Sequence, residues 1–121
     1  MTQPARTERP ERPLVYVIVV HHLRPSAEVE AHAPEHIAYL ERHHASGTFV
    51  ASGQMSDTSL GGVILASSPS RESVEAISAE DPFVQAGVSR HEIYDFSLRR
   101  ADLRVLEAFA ATRAQSGDGG G

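Results

Sequence analysis

The segment AEDPFVQAG, residues 79–87, places the carboxylate of Asp81 directly before Pro82. The residue before a proline is driven to extended backbone, which is also the geometry of a helix N-cap. Asp81 is therefore expected to accept backbone N–H groups of a short helix, a role that contributes about 1 kcal/mol without any catalysis. A carboxylate at this position can equally hold an imidazole for acid–base chemistry, and both interpretations stay open.

The second candidate is His36, on the predicted helix PEHIAYLERHHASG, residues 34–47. At about 100° per residue, His36 lies at the border of the apolar stripe that contains Ile37 and Leu40. A histidine at that border is partly desolvated and can reach a neighbouring loop, although a purely structural histidine fits the same pattern. An imidazole with one ring nitrogen fixed by a hydrogen bond can use the other nitrogen to remove or supply a proton.

The composition excludes several other chemistries and partners. The 121 residues contain no cysteine, and all 11 positively charged residues are arginine, which excludes thiolate and lysine Schiff-base mechanisms. A formal net charge of -5 without a basic run argues against nucleic acid and anionic membranes as partners. The apolar runs are too short to span a membrane and no signal-peptide pattern occurs, so we expect a cytoplasmic protein.

Seven histidines make a metal site a natural alternative. His32 and His36 have i, i+4 spacing, but Pro34 begins the helix between them and leaves His32 outside it. His36 and His43 lie two turns apart, and the side chains of the doublet 21–22 point to opposite faces of a strand. We therefore expect no bound metal and no other cofactor.

Strands are predicted at residues 14–22, 48–55, 61–67 and 88–98, and helices at 34–47 and 68–80, with a short helical turn at 81–87. Ser68 is expected to cap the second helix, with Pro69 in its first position. Residues 99–114 are predicted to form an amphipathic terminal helix. The segments 1–13 and 115–121 lack the apolar residues needed to fold and are predicted to be flexible tails.

The resulting order, β-α-β-β-α-β over residues 14–98, is the ferredoxin-like α+β arrangement of a four-stranded antiparallel sheet with two helices on one face. The first strand is apolar on both faces, with Leu14, Tyr16, Ile18 and Val20 on one and Val15, Val17 and Val19 on the other. We expect the second face to pack against a second copy of the sheet, giving a homodimer with α/β-barrel-type packing. The terminal helix is the alternative cover.

Three further residues are candidate contacts for a small-molecule ligand. Ser52 offers a hydroxyl, although no G-x-S-x-G element is present to make it a nucleophile. Gly53 would let a ligand approach the strand backbone closely, or it marks a bulge. Tyr16 lines the pocket, or it belongs to the core.

Five segments occur in a recognisable order and spacing: APEHIAYL, SGTFVASGQM, GGVIL, DPFVQAG and HEIYDF. Together they resemble the YciI-like, YCII-related, family over residues 14–98, with DPF-x-x-A-G as the most specific element. The resemblance implies a dimeric ferredoxin-like fold and an active site that pairs His36 with Asp81. Phe83, in the same element as Asp81, is predicted to contact the ligand.

The resemblance also implies a function, namely acid–base elimination or isomerisation on small cyclic compounds without a nucleophile or a redox cofactor. The alternative is a non-enzymatic dimeric module of the same fold that binds a small ligand. Family members often carry an arginine three residues before the histidine, where this chain has Ala33. A guanidinium for an anionic substrate is thus missing unless Arg24 or Arg42 replaces it.

Overall fold

The computed structural model describes residues 13–110, in which four antiparallel strands form one sheet. The strands are β1 (Leu14–His22), β2 (Phe49–Gln54), β3 (Gly61–Ala66) and β4 (Ser89–Ser97). The helices are α1 (Ser26–Glu30), α2 (Ala33–Ala45), α3 (Arg71–Ala79) and α4 (Pro82–Gln85), followed by α5, which is helical at residues 103–110. Apart from Pro13, the tails predicted at 1–13 and 115–121 lie outside the described residues, as do residues 111–114 of the predicted terminal helix.

The strand order is β2-β3-β1-β4, and each neighbouring pair is antiparallel. This confirms the four-stranded antiparallel sheet of the predicted α+β fold, and the order is that of a ferredoxin-like arrangement. The β1 strand is central because it pairs with β3 on one side and β4 on the other, as its apolar residues on both faces predicted.

One face of β1 forms the main core with the helices. Tyr16, Ile18 and Val20 are buried there against Tyr39 of α2 and Val74 of α3. Burial of large apolar side chains at this junction presses α2 and α3 onto the same face of the sheet. This packing brings together α2, which carries His36, and α3, which precedes Asp81.

The opposite face of the sheet is partly covered by α5. Val15 is buried there with Leu98 and Phe109, so the terminal helix provides the cover for which a second copy seemed the stronger candidate on sequence grounds. The cover is incomplete, since Tyr94 and Phe96 of β4 remain 52% and 48% exposed. We call the sheet surface that contains these two residues the open face.

Two helices begin more than one residue away from the positions expected from the sequence, and one helix was not predicted. The cap of α3 is Ser70 and not Ser68, because Ser70 has the extended backbone of an N-cap and its hydroxyl oxygen accepts the Ser73 N–H. The α5 helix begins at residue 103 and not 99, since the Asp102 carboxylate accepts the N–H of Arg104. The five-residue helix α1 was not predicted.

No helix within residues 13–110 combines the length and the apolar character needed to cross a membrane.

Candidate active site

Asp81 links the end of α3 to the start of α4 and has no exposed surface. Its backbone is extended, with φ -61° and ψ 122°, and its Oδ1 accepts the N–H of Phe83 at 2.9 Å. Pro82, which has no N–H to satisfy, takes the first helical position. Asp81 therefore has the cap geometry expected from the D-P pair, although complete burial is more than a cap requires.

His36 extends from α2 to the same carboxylate. Its Nδ1 donates to Asp81 Oδ1 at 2.7 Å, and its ring stacks on the Phe83 ring with centroids 3.9 Å apart and planes 7° from parallel. Because an ionised carboxylate only accepts hydrogen bonds, Asp81 places the proton on Nδ1 and leaves Nε2 as the free nitrogen. The structure thus brings together the two residues that the sequence pointed to, in a geometry suited to proton transfer.

A buried tyrosine fixes the distance between the helices that carry this pair. The Tyr39 hydroxyl on α2 donates to the Ile77 carbonyl of α3 at 2.8 Å. Burial, with a smaller contribution from the negative charge of Asp81, raises the pKa of Tyr39 well above its ordinary value. The hydroxyl therefore keeps its proton and remains a donor in this contact.

His91 is a second imidazole on Asp81, and the sequence analysis did not select it. Its Nε2 donates to Asp81 Oδ2 at 2.8 Å, and its Nδ1 is hydrogen bonded to the Ser78 hydroxyl. The available signal was the alternation of β4, which puts His91 and Ile93 on the face that packs against the helices. Asp81 is therefore held between two histidines and a backbone N–H.

These contacts keep the carboxylate ionised. Burial, the largest single effect, would raise the pKa of Asp81, but hydrogen bonds from His36, His91 and the Phe83 N–H together lower it to about 2. The site therefore contains a fixed negative charge in the protein interior at every ordinary pH. Such a charge stabilises a positive imidazole that contacts it.

A cavity of about 340 Å³ opens beside the pair. His36 and Phe83 form part of its wall, together with Ser52 and Gly53 from β2. Asp81 is not in the wall, so a ligand would meet the imidazole and not the carboxylate. The volume lies at the small end of the range for small-molecule sites, which is roughly 300–1,000 Å³.

Of the other predicted ligand contacts, Ser52 and Gly53 line the cavity and Tyr16 does not. Tyr16 belongs to the core. The Ser52 hydroxyl is hydrogen bonded to His44 Nε2 at 2.8 Å. Gly53 does not mark a bulge, because the register shift of β2 falls between Phe49 and Ala51. A Cβ at Gly53 would meet nothing within 4 Å, so packing does not require glycine there.

Among residues 13–110, no arginine lines the cavity, and the chain has no lysine. Ala33 lines the cavity, whereas Arg24 and Arg42 do not, so neither replaces the missing guanidinium. Arg24 pairs with Glu28 at 2.9 Å, and Arg42 lies 3.6 Å from Glu80. The imidazoles are therefore the groups of the wall that can carry positive charge.

His22 also lines the cavity, and it was not among the predicted site residues. It ends β1, its Nδ1 is hydrogen bonded to Ser89 Oγ at 2.8 Å, and its ring meets the Phe83 ring edge-on with centroids 5.6 Å apart. Burial first, and then the charge of His36, lower the pKa of His22, while Asp81 opposes the change. The alternation of β1 was the signal, since it puts His22 on the same face as Val20.

Across residues 13–110, no group of three or more His, Cys, Asp or Glu side chains is arranged to hold a metal ion. The histidines of the site instead use ring nitrogens for hydrogen bonds to Asp81, Ser78 and Ser89.

Comparison with known proteins gives one family and a structural relative. The model of the YCII-related domain matches residues 14–97. No curated protein is similar enough to count as a relative. A similar solved structure is 5-chloro-2-hydroxyhydroquinone dehydrochlorinase from Burkholderia phenoliruptrix AC1100 in complex with 2,5-dihydroxybenzoquinone. Its sequence is 20% identical to this chain, and the TM-score of the two structures is 0.57. The match covers 72% of this chain and 95% of the relative's chain. At this identity the likeness shows a shared fold.

Proposed function

The chain belongs to the YCII-related domain family, and we propose that it is an enzyme in which His36 and Asp81 move a proton on a small cyclic molecule. The observation that carries this proposal is the 2.7 Å hydrogen bond between His36 Nδ1 and Asp81 Oδ1, with the imidazole in the cavity wall and the carboxylate behind it. A helix cap alone would need no imidazole between the carboxylate and a cavity. Acid–base catalysis needs this order of groups.

The chemistry follows from the two nitrogens of His36. Asp81 holds the proton on Nδ1, so the lone pair of Nε2 takes a proton from the substrate. The imidazolium that forms is stabilised by the ionised carboxylate at 2.7 Å. In an elimination, the electron pair left on the substrate expels a leaving group, whereas in an isomerisation His36 returns the proton to another atom. Neither route requires a protein nucleophile.

The structural relative supports the choice of substrate class. Its name describes the removal of hydrogen chloride from a chlorinated hydroquinone, and its bound ligand is a dihydroxylated quinone ring. A cavity of about 340 Å³ is large enough for a single substituted six-membered ring. We therefore infer a small cyclic substrate that carries hydroxyl groups.

We also infer that the working unit is a homodimer assembled through the open face. Tyr94 and Phe96 are large side chains about half exposed on a sheet surface that α5 covers only in part. Exposed aromatic residues next to a buried apolar cluster are typical of an interface between copies of a chain.

Chloride release from 5-chloro-2-hydroxyhydroquinone tests the enzyme proposal. We expect release by the wild type, and a loss of about 100-fold or more in His36→Ala and Asp81→Asn. The matched control is His21→Ala, because His21 lies on the opposite face of β1 and contacts Glu92. Equal rates in the wild type and His36→Ala would contradict the proposal. Tight binding of 2,5-dihydroxybenzoquinone without turnover would favour the alternative, a non-enzymatic ligand-binding module.

A further inference from the structure

His22 occupies the cavity wall next to His36, and its own contacts give it a role. Resting on the proposed function, we propose that His22 is a second catalytic residue, a neutral imidazole whose Nε2–H donates a hydrogen bond to the substrate oxygen that loses its proton to His36. The substrate class is thereby narrowed to a small ring with an ionisable hydroxyl group.

The two imidazoles are placed around one aromatic ring. His36 stacks on the face of Phe83 at 3.9 Å, and His22 approaches the same ring edge-on at 5.6 Å. His36 comes from α2 and His22 from the end of β1, so two different elements bring imidazole rings to Phe83. A single small molecule in the cavity can therefore contact both histidines, since both line it.

Ser89 is the hydrogen-bond partner of His22 Nδ1. His22 and Ser89 are directly opposite each other in the antiparallel pair of β1 and β4, and Ser89 is buried. The Ser89 hydroxyl lies 2.8 Å from His22 Nδ1, and a hydroxyl can donate to the lone pair of that nitrogen. In our proposal it does so, which puts the proton of the neutral ring on Nε2, the nitrogen left for a ligand.

The surroundings of His22 disfavour its charged form. Burial is the main reason that its pKa lies below the ordinary value, and the like charge of a protonated His36 adds to the effect. Asp81 acts in the opposite direction but is already bonded to His36 and His91. When His36 takes up a proton, His22 is held neutral more strongly, so the two residues have different roles.

The proton transfer balances with these two residues. The O–H bond of the substrate breaks, the proton passes to His36 Nε2, and the electron pair stays on the oxygen. The Nε2–H of His22 donates to that oxygen as its negative charge develops. A donor fixed in advance in a partly desolvated site stabilises this charge better than mobile water does. A neutral imidazole stabilises a developing negative charge on a substrate oxygen in other enzymes as well.

Binding of 2,5-dihydroxybenzoquinone tests the proposal, because its acidic hydroxyl groups give it an oxygen with negative charge near neutral pH. We expect His22→Ala to weaken binding about 10- to 100-fold, the effect of losing a hydrogen bond to a charged group. His22→Gln, which keeps an N–H donor, should recover part of this loss. His21→Ala should bind as the wild type does, since its side chain is outside the cavity.

A nitrogen-15 NMR measurement on the free wild-type protein provides a second test that does not depend on folding of a variant. We expect His22 to be neutral near pH 7 with its proton on Nε2. Wild-type binding that is undetectable at millimolar probe, unchanged binding in His22→Ala, or a His22 imidazolium near pH 7 would each overturn the proposal. Chloride release that falls in His36→Ala but not in His22→Ala would overturn this inference alone. Unchanged release in His36→Ala would overturn the proposed function.

Discussion

His91 donates from Nε2 to Asp81 Oδ2 at 2.8 Å, on the oxygen that His36 does not use. The Asp81 carboxylate therefore has a partner on each oxygen and no exposed surface. His91 is itself fixed by the hydroxyl of Ser78. A fully bonded buried carboxylate cannot rotate without breaking several contacts, so His91 helps to hold the Asp81 carboxylate where it contacts His36.

Replacing Asp81 should separate its structural and chemical roles. Asp81→Asn keeps a capping oxygen, and His91 can change tautomer to accept from the new amide, because the Ser78 hydroxyl can then accept from His91. We expect this variant to lose at most about 1 kcal/mol of stability in urea denaturation, while turnover is largely lost. Asp81→Ala leaves two imidazole donors buried without a partner and should cost about 3 kcal/mol or more. Similar destabilisation by both variants would show that the charge itself holds the fold.

Acid should destabilise the protein through Asp81. Its pKa of about 2 in the folded protein lies below the ordinary value of 3.8, so the folded state binds this proton less tightly than the unfolded state. The contribution, about 2 kcal/mol, is fully present above roughly pH 4 and is lost as the pH falls towards 2. In urea denaturation at several pH values, the advantage of the wild type over Asp81→Asn, at most about 1 kcal/mol near pH 7, should shrink and then reverse as the pH falls, because only the wild type loses this contribution. A constant difference between pH 5 and pH 2 would contradict the assignment.

Two glycines of adjacent strands should differ sharply in their tolerance of alanine. At Gly61 the φ angle is +133°, and an added Cβ would lie 1.8 Å from the Val20 carbonyl oxygen. We expect Gly61→Ala to cost about 3 kcal/mol or more, from backbone strain and forced displacement of β1. Gly53→Ala is the matched control and should change the unfolding free energy by about 0.5 kcal/mol or less, since its Cβ meets nothing. Thermal denaturation of both variants measures the difference.

The dimer prediction can be tested by sedimentation at micromolar concentration. We expect a dimer for the wild type and a monomer for Tyr94→Asp, because a carboxylate on the open face would be desolvated in the interface. Leu23→Asp is the control, since Leu23 is equally exposed, at 52%, but lies outside the sheet. A monomeric wild type would mean that α5 alone is the cover of that face.

Local patterns in the sequence predicted several of the elements that position the site. The apolar residues on both faces of β1 predicted a central strand at the observed bounds, Leu14–His22. The D-P pair predicted the cap at Asp81, and the helix signals predicted that His36 borders the core. These features depend on residues close together in the chain, for which steric and hydrogen-bonding preferences suffice.

Only the tertiary structure decided which histidines meet the carboxylate and the cavity. His91 is ten residues from Asp81 and His22 is 67 from Ser89, and alternation assigned each histidine a face but no partner. The partner depends on strand register and on where α4 lies over the sheet, both of which follow from packing of the whole core. Likewise, α5 covers Val15 because Phe109 is buried beside it. Contacts between distant segments are selected by the total burial they allow, which no local pattern contains.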